Sequence, residues 1–90
     1  MDFEWDEGKN AANIAKHGLD FADAVLIFDG PVVSHVDSRR DYGETRVISY
    51  GQIANLVVAT VVHTDRSGVT RIISARLASA KERRLYEKAL

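Results

Sequence analysis

The sequence predicts an α+β fold: two N-terminal helices, an antiparallel sheet of three to four strands, and a C-terminal helix. Three observations predict it. Phe21, Ala24, Val25 and Phe28 recur at helical spacing. Between Val32 and Arg76 the apolar period changes to two, interrupted by polar connections. "SAKE", Ser79 to Glu82, is a capping box ahead of a final amphipathic run. Helices segregated from consecutive, closely connected strands give α+β with antiparallel pairing.

Taken in order, Phe3 to Trp5 reads either as a short strand or as a hydrophobic anchor. Asp6 is an N-cap for a helix over Glu7 to His17, with Ala11, Ile14 and Ala15 as its narrow apolar stripe. Gly18 suits the left-handed position that ends such a helix. Asp20 caps the second helix, and Asp29 to Pro31 stops it, because proline disfavours helix in the residue before it. Strands follow at Val32 to Val36, Thr45 to Gly51, Asn55 to His63 and Val69 to Arg76. Asp37 to Glu44 is a polar connection, and Thr64 to Gly68 a hairpin loop. The last helix carries Leu85, Tyr86, Ala89 and Leu90 on its apolar side. The first two helices are expected on one sheet face. The other face, or an edge, is left for the last helix and for function.

Ninety residues suit a single domain over 1–90, with a thin margin of stability. There is no cysteine, so neither disulfides nor thiolate metal sites support the fold, which fits a reducing compartment. The acidic N-terminus is no signal peptide, and the longest apolar stretch, near Asn55 to His63, is too short to span a bilayer as a helix. A cytoplasmic protein without membrane partners is expected. The net charge of −1 conceals an asymmetry. Met1 to Thr45 holds four Lys/Arg against ten Asp/Glu, −6, and Arg46 to Leu90 holds eight against three, +5. An acidic half joined to a basic half points toward nucleic acid or an acidic partner.

The chemistry-bearing residues cluster in the basic half. In a regular strand Arg71 and Arg76 point to opposite faces. If His63 pairs with Val69 it shares a face with Arg71; if with Thr70, with Arg76. Either register puts a histidine and an arginine together, and the neighbouring strand adds Arg46. Such a grouping suits RNA cleavage without a metal, which needs a base for the 2′-OH, an acid for the leaving 5′-oxygen and cations at the phosphate. His63 is the acid–base candidate; Arg46, Arg71 and Arg76 are the phosphate candidates, Arg76 foremost because it adjoins Lys81, Arg83 and Arg84. The competing reading is that these are ordinary structural or solvated side chains. His17 and Lys16 favour the C-terminal dipole of the first helix. His35 receives no role. The histidines lie far apart with no paired-ligand spacing, so no metal or other cofactor is expected.

Four blocks together resemble the BrnT family of bacterial type II toxins, which have a RelE-like ribonuclease fold. They are "FEWDEGKNAANIAKHGLDFADA" (Phe3 to Ala24), "DYGETR" (Asp41 to Arg46), "VVHTDR" (Val61 to Arg66) and "RIISARLASAKERRLYE" (Arg71 to Glu87). The resemblance implies a toxin that cleaves mRNA without a metal. It implies a BrnA-type antitoxin with a ribbon-helix-helix DNA-binding part, a hetero-oligomer with that antitoxin, and contact with DNA only through it. Arg46, His63, Arg71, Arg76, Lys9, Lys16, His17 and Tyr86 fall on family motif positions. Two other classes remain open: a non-catalytic co-repressor subunit, and an RNA-binding domain that does not cleave.

Overall fold

The computed structural model, covering residues 1–90, runs β1 (Asp2–Glu4), α1 (Glu7–His17), α2 (Phe21–Ala24), a 3-10 turn (Val25–Asp29), β2 (Val33–Val36), β3 (Val47–Ala54), β4 (Val57–Arg66), β5 (Val69–Leu77) and α3 (Ala80–Lys88). The strands form one sheet in the order β1-β5-β4-β3-β2. The sheet therefore has five strands, not three to four, and is mixed. Strand β1 runs parallel to β5, with Phe3 opposite Thr70. Three residues are too few to display alternation, and their partner strand lies at the far end of the chain. Phe3 to Trp5 is both strand and anchor: the Phe3 ring lies 5.5 Å from Phe28, and Trp5 meets Phe21 edge-on at 6.1 Å.

The remaining strands form the expected antiparallel meander, with shifted ends. Strand β4 continues through Arg66, so the β4–β5 loop shrinks to Ser67–Gly68. Both residues have positive φ, 54° and 83°, as a tight two-residue hairpin demands. Asn55 and Leu56 turn the chain between β3 and β4 instead of opening a strand.

Helix caps follow the sequence closely. Asp6 accepts from Lys9 N at 2.9 Å, and Gly18 takes φ 72° while its N–H bonds Ile14 O at 2.8 Å. The packing stripe of α1 does not follow. Ala11, Ile14 and Ala15 are exposed, and the buried residues are Asn10 and Asn13. The helix docks by hydrogen bonds. Asn10 accepts from Phe21 N at 2.9 Å and donates to Asp20 Oδ1 at 3.0 Å. Asn13 donates to Leu19 O (2.9 Å) and Ala75 O (2.8 Å) and accepts from Ala75 N (3.1 Å). Strand β1 pairs with β5 only as far as Arg71, and beyond it the Asn13 amide serves as a one-residue substitute for the missing strand. The segment after Asp20 also departs from a single helix. One α-turn passes into 3-10, so Phe21, Ala24 and Ile27, three apart, all reach the core.

These elements cover one sheet face, around Leu19, Phe21, Ile27, Val61, Ile72 and Ala75. Helix α3 crosses part of the other face, where Tyr86 packs with Ile48, Tyr50 and Val58. Its N-terminus is fixed by the capping box, Glu82 N to Ser79 Oγ at 3.2 Å and Ser79 N to Glu82 Oε1 at 2.8 Å. Glu82 also grips Arg76 through two bonds of 2.6 and 2.9 Å and accepts from Thr60 Oγ1 at 3.1 Å. No helix is long and apolar enough to cross a membrane.

Two outcomes follow from this packing. Asn13→Ala strands buried backbone groups of Leu19 and Ala75 and is expected to cost about 2–3 kcal/mol. Ile14→Ala, at a side chain on a residue 40% exposed, is expected to change stability by less than about 1 kcal/mol. Urea denaturation of both variants checks the order, and a larger loss at Ile14 contradicts it. The Glu82 carboxyl is lowered from 4.5 to about 2, chiefly by the hydrogen bonds from Arg76. A depressed carboxyl stabilises the fold above its unfolded pKa and loses that contribution as pH falls through the folded one. The stability difference between wild type and Glu82→Gln should therefore shrink steadily from pH 5 to pH 2. A constant difference over that range contradicts the assignment.

Candidate functional site

Strand β5 contains one more residue than β4 across their pairing: Val62 faces Ser74, but His63 faces Ile72. The extra residue, Ile73, is a bulge, and it changes which side chains share a face. Arg71 pairs with Thr64 and Arg76 with Thr60. Thr60 and Thr64 are four apart on one strand, so both arginines lie on the same face. The expected opposition of Arg71 and Arg76 is overturned. His63 pairs with neither Val69 nor Thr70 and lies on the helix-covered face. There it meets the Phe28 ring edge-on at 5.1 Å, and its Nε2 lies 2.7 Å from Ser49 Oγ. Burial pushes its pKa down, favouring a neutral imidazole. The expected grouping of His63 with an arginine does not form.

The open face carries two rows of side chains across adjacent strands. One runs Val33, Tyr50, Thr60, Arg76; the next runs His35, Ile48, Val62, Ser74. A cleft of about 280 Å³ opens over them, lined by Ile48, Thr60, Val62, Ser74, Arg76, Glu82 and Arg39. Arg39 comes from the polar connection between β2 and β3. Its Nε and Nη2 each donate to the Asp37 carboxylate at 2.8 Å. The histidine of this face is His35, whose Nε2 lies 2.9 Å from Tyr50 Oη. Burial, and then the Glu82 charge, raise the Tyr50 pKa, so the phenol stays protonated.

Donor arithmetic shows what the cleft offers. A guanidinium has five N–H groups. Arg76 uses its Nη1 and Nη2 end on Glu82 and a further Nη1–H on Leu77 O, leaving Nε–H and one Nη2–H. Arg39 uses its Nε side on Asp37, leaving both Nη1–H groups and one Nη2–H. Each cation thus keeps donors for an incoming anion while a carboxylate fixes its orientation. Thr60 and Ser74 line the same cleft, with the Thr60 hydroxyl donating to Glu82.

The other anticipated residues are dispersed. Arg71 pairs with Glu4 at 3.7 Å, five residues along β5 from Arg76, and does not line the cleft. Arg46 pairs with Glu44 at 3.2 Å and stacks 3.9 Å over the Tyr42 ring. Lys81, Arg83 and Arg84 are exposed on α3 and do not line the cleft; Arg83 borders a separate apolar hollow with Leu56, Val58 and Leu77. Lys9, Lys16 and His17 lie exposed on α1, the helix that packs on β5 through Asn13 and belongs to the covered side. Tyr86 is a core anchor, 3% exposed, and not a surface group. Reading the sequence missed Arg39, His35 and Tyr50. The alternation in Val33 to Val36 opposes Ser34 and His35, but only the sheet order shows which face is open. The Asp37-x-Arg39 spacing of an Asx turn, with Arg39 N to Asp37 Oδ1 at 3.2 Å, was the available signal for Arg39.

Comparison with known proteins agrees with this architecture. Residues 5–82 match the family model described as "Ribonuclease toxin, BrnT, of type II toxin-antitoxin system". A crystal structure of the Brucella abortus ribonuclease toxin BrnT superposes with a TM-score of 0.65 at 32% identity, covering 88% of this chain and 97% of that one. No curated protein matches the chain. With a family match over most of its length and this likeness in structure, the chain belongs to the BrnT family of ribonuclease toxins of type II toxin–antitoxin systems.

Proposed function

We propose that this chain is a toxin that cleaves mRNA without a metal, and that the open-face cleft is its active site. The observation that carries this reading is the convergence of Arg76 and Arg39, each with free N–H donors, on the sheet face the first two helices leave open. Phosphate oxygens accept from the two guanidiniums, which match their geometry and stay charged. The acid–base role falls to His35, hydrogen-bonded to Tyr50 on the same face, in place of His63. The 2′-oxygen gives up its proton and bonds to phosphorus; the bond to the 5′-oxygen breaks, and that oxygen leaves protonated. The products are a 2′,3′-cyclic phosphate and a 5′-hydroxyl end. Lys81, Arg83 and Arg84 extend the positive surface along the strand of RNA. Arg46, with Tyr42, borders the same loop, whereas Arg71, Lys9, Lys16 and His17 are assigned no part in catalysis.

Membership of a type II system implies an antitoxin. We assign it the BrnA-like, ribbon-helix-helix class, binding DNA on behalf of the complex, with the toxin acting in the cytoplasm where mRNA is translated.

Purified protein in excess EDTA is expected to cleave RNA to cyclic-phosphate ends. Loss of cleavage on chelation, restored by a divalent cation, contradicts the metal-free reading. Intact RNA under every condition, with tight antitoxin binding, favours a co-repressor subunit instead. His35→Ala is expected to slow cleavage at least about a hundredfold and His63→Ala much less at equal folded fraction. The reverse order returns the acid–base role to His63. Arg76→Ala is expected to lose about a hundredfold in rate. Glu82→Gln loses the same helix anchor while keeping the cation, so it separates the two roles. An equal loss in Glu82→Gln assigns Arg76 to structure alone.

A further inference from the structure

The Asp37 carboxylate is fully buried, yet the arginine it binds has a side chain 69% exposed. Burying a carboxylate costs several kcal/mol unless hydrogen bonds compensate. Here four bonds do so: Arg39 Nε and Nη2 at 2.8 Å, Arg39 N at 3.2 Å and Tyr42 Oη at 3.1 Å. Asp37 N also bonds Arg46 O at 2.8 Å, continuing the β2–β3 ladder one step. The carboxylate is thus tied to the sheet, and the guanidinium is tied to the carboxylate. An ordinary surface ion pair has two mobile ends and contributes little. This pair has one immobile end, which holds a long exposed side chain in a single orientation over the cleft.

The rest of the loop agrees. The Tyr42 ring, whose hydroxyl completes the Asp37 shell, is flanked by Arg40 at 5.2 Å and Arg46 at 3.9 Å. Arg39 and Arg76 line the same cleft, each held by its own carboxylate. Two cations lining one cleft form a ready site for an anion between them.

We propose that Arg39 is a substrate-binding residue, gripping the RNA backbone across the cleft from Arg76, and that Asp37 is the positioning residue that presents it. The inference rests on the reading of the cleft as an RNA-cleaving site, and it deepens that reading by giving Arg39, which lies outside the four sequence blocks, a role in binding and Asp37 a role in positioning it. Arg39 acts on binding more than on the chemical step, because its donors lie at the rim and its partner carboxylate never leaves.

The test compares wild type with Arg39→Ala, Arg39→Lys and Asp37→Asn. Cleavage of a defined RNA gives kcat and KM, and binding of a 2′-O-methyl oligonucleotide, which cannot be cleaved, gives Kd across a salt series. Arg39→Ala is expected to raise KM about tenfold with kcat within about threefold. The slope of log Kd against log salt should fall by about 0.7, one phosphate contact on a single strand. Arg39→Lys should keep the slope yet recover only part of the KM, because an ammonium replaces the fork. Asp37→Asn, where it folds, should raise KM with the slope retained. Wild-type KM and slope in Arg39→Ala, assayed at equal folded fraction because Asp37 loses two of its bonds, overturn the proposal, and so does a wild-type KM in Arg39→Lys, which keeps a cation beside Asp37. If wild type binds the oligonucleotide but cleaves nothing, the catalytic reading fails while the salt slope still decides on Arg39. If it binds no RNA, both fall.

Discussion

The Ile73 bulge in β5 is the constraint on which the functional face depends. Without the extra residue, Ile72 and Ala75 fall on opposite sides of the sheet, and one of them leaves the core. With it, both pack beneath α1 and α2, and Arg71, Ser74 and Arg76 all turn to the open side. The bulge interrupts regular pairing close to where β1 ends, and the Asn13 amide supplies the backbone bonds that Ala75 then lacks. A helix docked through an asparagine and a strand kinked by one residue are therefore parts of one device. It holds the core-facing and cation-facing positions of β5 apart.

The open face is built from pairs of opposite charge more than from an excess of cations. Arg76 is held by Glu82, Arg39 by Asp37, Arg46 and Arg66 by Glu44, Arg71 by Glu4. Glu4, Asp37 and Glu44 from the acidic half and Glu82 from the basic half thus orient the arginines, most of which belong to the basic half. This is why a net charge of −1 is compatible with the proposed phosphate-binding role of the cleft. A carboxylate occupying one edge of a guanidinium lowers local repulsion and fixes the direction of the remaining edge, which a freely moving lysine does not provide. Glu82 adds a structural duty, since the carboxylate that orients Arg76 also closes the capping box of α3.

Much of the architecture was legible in the residues. The caps at Asp6, Gly18, Asp20 and Ser79 mark helix ends because they satisfy backbone groups locally, within three or four residues. The meander and the position of α3 followed from alternation and short connections. What failed were the features set by distant partners. β1 needs β5 before it is a strand. Asn13 looks like a solvated polar residue until Ala75 is placed against it, so the apolar stripe of Ala11, Ile14 and Ala15 was the wrong face. The faces of Arg71, Arg76 and His63 hinge on one bulged residue that no propensity marks. The family resemblance identified the class of protein correctly, yet among its motif positions Tyr86 lies in the core and His63 on the helix-covered face. The cleft instead draws on Arg39, and its face carries His35.

The central claim is that RNA lies on the open face, between Arg39 and Arg76. Backbone amide shifts of labelled protein, titrated with a non-cleavable 2′-O-methyl oligonucleotide, test it most directly. The structure predicts that perturbations concentrate at Arg39, Ile48, Val62, Ser74 and Arg76 and run onto the start of α3. Shifts confined to Lys9, Lys16 and the rest of α1, with the cleft residues unmoved, would contradict it.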